Sequence, residues 1–226
     1  AYSAVYNTDS HGGTGWDYMM RPDGHMDTIY SLTEFNSENF CWMERMAGYL
    51  FAEEYNDTEK LLYFTNFLNN WTRALFNTGR VEYNSNNYWG YVFPPVLNLY
   101  QYSAEPRVKA QAKAVLDWLV IEAATHYIDG WQAGPDCRAK INSFVPFSGS
   151  TWVYTYLYFN DPNCHSTISD ADAAANMQKN LVGWFPYSSY RPPQVAIDIA
   201  QRKFNTPVEM HNAKPFYMVD HDNYND

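Results

Sequence analysis

The chain has 226 residues and a formal net charge of −10. This length suits one substantial domain with its own hydrophobic core, and the negative charge repels the phosphates of nucleic acids and anionic membrane surfaces. The longest apolar run, residues 115–123, is interrupted by Asp117 and Glu122 and is too short to span a bilayer. We therefore expect a single domain over residues 1–226, with no nucleic-acid partner and no membrane span.

The first helices are predicted after an irregular N-terminal segment. Residues 1–35 contain Gly- and Asp-rich turn signals and no helical period. Apolar residues then recur every three or four positions over residues 37–55 and again over residues 58–76. The intervening Asn56-Asp57-Thr58 offers a turn and a helix N-cap. Two amphipathic helices with so short a connection are expected to form an antiparallel hairpin.

A second helix pair is predicted between Pro95 and His126. Proline suits the first turn of a helix but not its interior, so the first helix of this pair is expected to begin at about Pro95 and to end at Tyr102. A short connection leads to Pro106, behind which apolar residues at helical spacing predict a long helix to His126. The two pairs repeat a unit of roughly 45 residues, which is typical of helical arrays and toroids.

The remainder of the chain is less regular. Residues 129–138 are predicted to be a loop, residues 150–159 a strand or a third helix, and residues 169–181 a weaker helix. Prolines recur over residues 185–226 and leave one predicted helix, at about residues 194–203, in a largely irregular end. The expected fold is mainly α, with helical hairpins stacked as a partial or complete (α/α) toroid and long aromatic-rich loops.

Aromatic residues make up 18% of the chain, and many of the 20 tyrosines lie in otherwise polar stretches. Sugars present apolar C–H faces that stack on rings, and their hydroxyls need hydrogen-bond partners. A polysaccharide or oligosaccharide is therefore the expected partner.

The first candidate site is the segment 82–91, which joins the two helical hairpins and would line the central cavity of a toroid. Glu82 can act as a general acid or base, and Tyr83 or Tyr88 can move a proton. The residues expected to bind or stack on the substrate here are Tyr83, Asn84, Asn86, Asn87 and Trp89. The alternative is structural, with asparagines that cap helices or satisfy turns and rings that fill the core.

The second candidate site, residues 126–138, follows the long helix and is expected to lie at the same end of the domain. Asp136 is the candidate second carboxylate, His126 titrates near neutral pH, and Arg138 can bind an anion or a hydroxyl. Trp131 is the candidate stacking ring of this segment. The alternative is a helix C-terminus with a favourable histidine and an Asp–Arg pair that ties down the loop.

No cofactor and no metal are expected. Histidines and carboxylates that can bind a metal occur near both ends, at His11, Asp17, His25, Asp27, Glu209 and His211. The sequence contains neither a helical His-x-x-x-His pair nor a Cys-x-x-Cys motif, however. Polar loop residues of an acidic protein explain the group equally well.

Three cysteines allow one disulfide. We expect Cys137 to pair with Cys164, because both lie in loop-like segments while Cys41 lies on a predicted helix. Three free thiols in a reducing compartment are the alternative.

Secretion and glycosylation are expected together. Asn56-Asp57-Thr58 and Asn70-Trp71-Thr72 match the N-glycosylation pattern, although Trp71 lies at a helix-core position that can hide the second match. The first residue is Ala1 rather than Met, as in a processed mature chain or a fragment.

Three runs of sequence carry a family resemblance: Glu82-Tyr83-Asn84-Ser85 through Tyr88, Leu116-Asp117-Trp118-Leu119, and Gly134-Pro135-Asp136-Cys137-Arg138. Together they resemble a pattern of uncharacterised extracellular proteins of the α/α-toroid type. More distantly, residues 36–140 resemble the helical toroid domains of polysaccharide lyases and glycoside hydrolases. In such lyases Asn, His and Tyr neutralise a uronate carboxylate and shuttle the proton, and the resemblance implies Asn87, His126 and Tyr88 for these roles.

The expected function is a secreted enzyme that cleaves glycosidic bonds of a polysaccharide by acid/base chemistry. A hydrolase would use the carboxyl groups of Glu82 and Asp136. An enzyme that inverts the anomeric configuration would hold these groups about 6.5–9.5 Å apart. A lyase would bind a uronate through Arg80, Arg138 and the asparagines, whereas the global acidity favours a neutral sugar. The alternatives are a non-catalytic glycan-binding or structural extracellular protein and, ranked last, an enzyme acting on an apolar substrate such as a terpenoid.

Overall fold

The computed structural model describes residues 38–80, 82–136, 149–177 and 188–211. Over these residues the protein is mainly helical, as expected, with eight helices and one two-stranded antiparallel sheet. The described residues belong to two compact units, the second of which extends from Glu82 to Met210. The expected irregular segment 1–35, the histidines and carboxylates near the N-terminus, and the last residues of the chain lie outside the described residues.

The first unit contains the predicted helical hairpin, formed by α1 (Glu38–Glu54) and α2 (Thr58–Thr78). Asp57 is the N-cap of α2, and its side chain accepts a hydrogen bond of 3.0 Å from the backbone N–H of Lys60. The core between the helices is aromatic, with the edge of Trp42 against Trp71 at a centroid distance of 4.3 Å. The periodic pattern of the sequence is thus confirmed for both helices.

Arg80 lies in the first unit and is buried there. Its Nη2 is 3.3 Å from Glu38 Oε2, and its guanidinium carbon lies 6.0 Å from the Trp42 ring centroid. The side chain is completely buried. An ion pair and a cation–π contact of this kind hold the guanidinium in the protein, so Arg80 supports the fold in this structure.

The second unit begins with a helix pair, but the start of its first helix corrects the prediction. Helix α3 spans Trp89–Tyr102 and begins six residues before Pro95, so that Pro94 and Pro95 lie within it. Proline has no backbone N–H, so Pro94 and Pro95 cannot donate the helical hydrogen bonds that the carbonyls of Gly90 and Tyr91 would otherwise accept. Both proline side chains are buried, and the burial of this strongly apolar helix compensates for the two missing hydrogen bonds.

Helix α4 (Pro106–His126) is the predicted long partner of α3. Pro106 occupies its first turn, and the side chain of Glu105 caps it by accepting a hydrogen bond of 3.2 Å from Arg107 N. The indole Nε1 of Trp89 donates to the carbonyl of Leu119 at 3.1 Å and joins the two helices in the core. His126 ends the helix.

A β-hairpin occupies the beginning of the loop that was predicted over residues 129–138. Strands β1 (Tyr127–Ile128) and β2 (Trp131–Gln132) pair antiparallel, with Tyr127 opposite Gln132 and Ile128 opposite Trp131. Asp129 and Gly130 connect them with φ of 48° and 96°, as in the type I′ turns that suit two-residue hairpins. The expectation of an irregular loop was therefore wrong for residues 129–132.

Four shorter helices complete the second unit: α5 (Thr151–Phe159), α6 (Pro162–Thr167), α7 (Asp170–Met177) and α8 (Gln194–Ala200). Residues 150–159 were predicted to form either a strand or a third helix, and α5 shows that a helix forms there. Helix α6 was not predicted. Cys164 is buried on α6, whereas Cys137 lies outside the described residues, so the disulfide stays a prediction. Among the described helices, none is long and apolar enough to cross a membrane.

The core of the second unit is a cluster of aromatic rings around Phe93. Its ring lies within 5.9 Å, centroid to centroid, of Trp89, Tyr154, Tyr158 and Tyr190. Burial raises the pKa of all three tyrosines. These hydroxyls therefore stay protonated, and the cluster, which includes the candidate stacking ring Trp89, forms core.

Candidate functional site

The two candidate segments contact each other in the second unit, and Asn84 forms the junction. Its amide nitrogen donates to the carbonyls of Ala133 and Pro135, both at 2.8 Å. Its amide oxygen accepts a hydrogen bond from Nε2 of Gln132. The two loops that were expected at the same end of the domain are thus joined by one buried side chain.

The backbone of Asn84 explains why asparagine occupies this position. Its φ of 49° lies in the left-handed region, which asparagine tolerates better than most residues. The side chain is buried, and both of its N–H donors are used within the protein. Asn84 was expected to bind substrate, but in this structure its amide positions the two segments.

Tyr83 and His126 form the most chemically suggestive contact of the site. The Tyr83 hydroxyl is 2.9 Å from Nε2 of His126, and the two rings are perpendicular with centroids 5.2 Å apart. The backbone carbonyl of His126 accepts a hydrogen bond of 2.7 Å from Ala133 N. Gly134, with φ of 90°, lies so close that a Cβ there would be 3.4 Å from the Nδ1 atom of His126. The histidine is therefore held on several sides.

Burial lowers the pKa of His126 from its usual value of 6.5, and a hydrogen bond with the backbone of Ala133 opposes this shift only in part. His126 is consequently neutral at pH 7. A neutral imidazole has one nitrogen free to accept, so Nε2 can take the proton of the Tyr83 hydroxyl. In the tautomer protonated on Nδ1, Nε2 thus accepts the hydrogen bond of the Tyr83 hydroxyl.

The two candidate carboxylates lie on the segments that Asn84 joins. Glu82 immediately precedes Tyr83 and is 3% exposed. Asp136 follows Pro135, whose carbonyl accepts from Asn84, and both of its carboxylate oxygens are shielded from solvent. The carboxylates are therefore carried by the same pair of segments as the tyrosine and the histidine.

The following residues of the first segment attach it to the start of α5. The carbonyl of Asn86 accepts hydrogen bonds from Thr151 N at 3.2 Å and from Thr151 Oγ1 at 2.6 Å. The carbonyl of Asn87 accepts a hydrogen bond from the Ser150 hydroxyl. Their backbones thus have structural roles, while substrate binding by their side chains stays a prediction.

The two tryptophans expected to stack on sugar differ sharply in exposure. Trp89 is 1% exposed and its ring is stacked on Phe93, so that no ligand can reach its face in this structure. Trp131 is 44% exposed and lies directly across the hairpin from Ile128, which is 46% exposed. Of the two, only Trp131 offers a ring to a ligand.

The remaining predicted residues are placed less centrally. The Tyr88 ring lies 6.2 Å from Tyr91, whereas the tyrosine beside His126 is Tyr83. Arg138 lies outside the described residues. Glu209 and His211 are exposed, and the described part of the chain contains no group of three or more His, Cys, Asp or Glu residues that could hold a metal ion.

Sequence reasoning missed the contributions of Gln132 and Gly134. Gln132 contacts the Asn84 amide, and Gly134 lies beside the His126 ring with a φ of 90° that favours glycine. A glycine before Pro135 was a visible turn signal, but nothing in the local sequence of Gln132 indicates its partner. Both contacts depend on tertiary structure.

Comparison with protein-family models, curated proteins and solved structures gives no match to this chain. Functional proposals for it therefore start from its own residues.

Proposed function

We propose that this chain is a secreted carbohydrate-active enzyme that cleaves glycosidic bonds of a polysaccharide by acid/base chemistry, with Tyr83 and His126 as the proton-transfer pair. The observation that carries the proposal is the 2.9 Å contact between the Tyr83 hydroxyl and Nε2 of a histidine with a lowered pKa. The exposed ring of Trp131 in the adjoining hairpin supports a sugar as the ligand.

A lyase that acts on a uronate uses this pair most directly. The Tyr83 oxygen takes the proton from C5 of the uronate as its own proton passes to His126. The C4–O bond then breaks, a C4–C5 double bond forms, and the proton returns through Tyr83 to the departing glycosidic oxygen. Asn87 and Arg138 are the candidates for the uronate carboxylate, and Tyr83 takes the role that the sequence assigned to Tyr88.

The hydrolase version of the proposal uses Glu82 and Asp136 as acid and base. Its support is the junction at Asn84, which ties together the segments that carry the two carboxylates. In this version water attacks the anomeric carbon, the departing oxygen receives a proton from one carboxylic acid, and no double bond forms.

A panel of neutral and uronate-containing polysaccharides distinguishes the two versions. Ultraviolet absorbance from unsaturated sugars identifies a lyase, and new reducing ends without absorbance identify a hydrolase. For the lyase, Tyr83→Phe removes the hydroxyl and should lower kcat by about 10²–10⁴-fold. Tyr102→Phe is the matched control, because Tyr102 is 67% exposed at the end of α3 and should keep full activity.

Two further variants test the hydrolase version. Glu82→Gln and Asp136→Asn should each abolish the release of reducing ends while Tyr83→Phe retains it. Activity that survives in Tyr83→Phe, Glu82→Gln and Asp136→Asn alike would refute acid/base catalysis at this site.

A non-catalytic glycan-binding protein is the second candidate, and one contrast favours it. Asn84 and Trp89 are engaged within the fold, whereas Trp131 and Ile128 are exposed side by side. On this hypothesis Trp131→Ala should lower polysaccharide affinity about tenfold or more, the loss expected from one stacked aromatic ring. Phe76→Ala is the matched control, since Phe76 is similarly exposed, at 49%, on α2 of the first unit. Affinity electrophoresis measures both.

The toroid arrangement and secretion belong to the same proposal. The repeat of helix pairs every roughly 45 residues supports a partial or complete (α/α) toroid, which an experimental structure of the whole chain would test. The expected Cys137–Cys164 disulfide supports secretion. Thiol counting in the denatured chain, with and without reductant, would detect that disulfide as two additional thiols after reduction.

A further inference from the structure

Two short segments of the chain match the N-glycosylation pattern, and the structure presents them very differently. In the first, Asn56 is exposed in the connection between α1 and α2, with φ of 53°. The neighbouring Tyr55 ring is 62% exposed, and Thr58, the third residue of the pattern, is exposed at the first position of α2. A transferase can therefore reach both the asparagine and the threonine.

Hydrogen bonds to both flanking helices fix the connection that carries Asn56. The backbone N–H of Asp57 bonds to the carbonyl of Ala52 at 2.9 Å, and the Asp57 side chain caps α2 through Lys60 N. The first helical turn of α2 thus does not depend on the Asn56 side chain. A glycan on that side chain would project from the turn without displacing a helix.

The second segment lies in the interior of α2. Asn70 is half-buried, and the following residue, Trp71, is 4% exposed with its ring 4.3 Å from Trp42 at the centroids. Presenting Asn70 in an extended or turn conformation would open α2 at its core contact. Burial of a tryptophan against aromatic partners strongly opposes this opening.

We infer that Asn56 is an N-glycosylation site of this protein and that Asn70 is not. The co-reactant is an oligosaccharide linked through pyrophosphate to a lipid. The Asn56 amide nitrogen forms a bond to the anomeric carbon, the bond from that carbon to the phosphate oxygen breaks, and the lipid pyrophosphate leaves with the electron pair. The amide nitrogen loses one proton to a base of the transferase. The modification is independent of carbohydrate cleavage and needs only passage of the chain through a secretory pathway.

The test is expression of residues 1–226 in a eukaryotic secretory host behind a supplied signal segment, which separates the result from the question of natural secretion and from catalysis. Digestion with an amidase that releases N-linked glycans converts the modified asparagine to aspartate, and mass spectrometry of peptides locates the change. The expected result is one glycan, on Asn56, that is lost in Thr58→Ala and retained in Thr72→Ala.

The two threonine variants are matched, because each removes the same hydroxyl from one of the two patterns. Asn56→Gln provides a second loss-of-site variant in which Thr58 is kept, and circular dichroism checks that each variant remains helical. A secreted protein without a glycan on Asn56, or a glycan that persists in Thr58→Ala, would overturn the inference.

Discussion

At the scale of single residues, Asn84 has more influence on the site than its size suggests. One buried amide donates to two carbonyls and accepts from Gln132 while its backbone adopts a left-handed conformation. Removal of such a side chain leaves two part-buried acceptors without their donors, which costs more than the loss of hydrogen bonds fully exposed to water.

We predict that Asn84→Ala lowers the free energy of unfolding by roughly 1–3 kcal/mol, as expected for the loss of two or three part-buried hydrogen bonds. Urea unfolding followed by tryptophan fluorescence measures the change. Asn163→Ala is the control, because the Asn163 amide donates at the surface to Asp129 at 3.3 Å and its loss should be nearly neutral. Equal effects in the two variants would contradict the structural role of Asn84.

Residue identity alone did not reveal which tyrosine meets the histidine. Tyr83 and Tyr88 are equivalent candidates in the sequence, and His126 lies far along the chain from both. Their pairing depends on the junction at Asn84, which is a set of tertiary contacts. The sequence could therefore indicate the two segments, but not the contact within them.

At the scale of elements, the β-hairpin positions the second candidate segment. Gly130 has φ of 96° in its turn, and the Ala133 N–H beyond β2 bonds to the carbonyl of His126. Any residue with a Cβ is strained at such a φ. The turn thus fixes the path of the chain past the histidine.

Gly130→Ala should therefore destabilise the hairpin by about 1–3 kcal/mol. The expected result is faster hydrogen exchange of the Ala133 amide, with smaller changes in the exchange rates of amides in the interior of α4. Asp129→Asn is the control, because asparagine also tolerates the left-handed φ of 48° and the Asp129–Arg202 pair is largely exposed. Unchanged Ala133 exchange in Gly130→Ala would contradict this role of the turn.

Elements with strong local sequence signals were predicted well. Elements in which two signals disagree, such as a turn signal in polar surroundings or proline in an apolar helix, were not. The period of α1 and α2 and the Asp57 cap were both visible in the sequence. The Asp129-Gly130 pair was also a visible hairpin signal, yet its polar surroundings favoured a loop. The start of α3 was missed because the expectation that proline begins a helix considers only backbone hydrogen bonds. Burial of most of the apolar residues 89–97 stabilises the helix ahead of Pro94 and Pro95.

At the scale of the whole molecule, the loss of folding stability at acid pH depends on two groups of the second unit, His126 of the candidate site and Asp170 outside it. Burial holds the pKa of His126 below 6.5. Hydrogen bonds from Tyr156 and from His165, at 2.5 and 3.3 Å, hold the pKa of the Asp170 carboxyl below its ordinary 3.8. In both cases the unfolded chain takes up its proton at a higher pH than the folded protein does.

These two lowered pKa values predict two pH windows that open at different pH, the first at 6.5 and the second at 3.8. Folding stability rises with pH wherever the unfolded state binds more protons, so the His126 contribution is complete above 6.5 and is lost as the pH falls from there to its folded pKa. The Asp170 contribution is complete above 3.8 and is lost as the pH falls through the lower pKa of the folded state.

The free energy of unfolding in urea, measured across this pH range, tests both windows. The His126→Gln variant should lack the first loss of stability, and the Asp170→Asn variant should lack the second. Because each variant is compared with the parent at the same pH, losses from the other carboxylates of this acidic chain cancel. A parent protein that gains stability on acidification through 6.5, relative to His126→Gln, would show that the folded state raises the pKa of His126, and that the histidine cannot be the neutral proton acceptor for Tyr83 at pH 7.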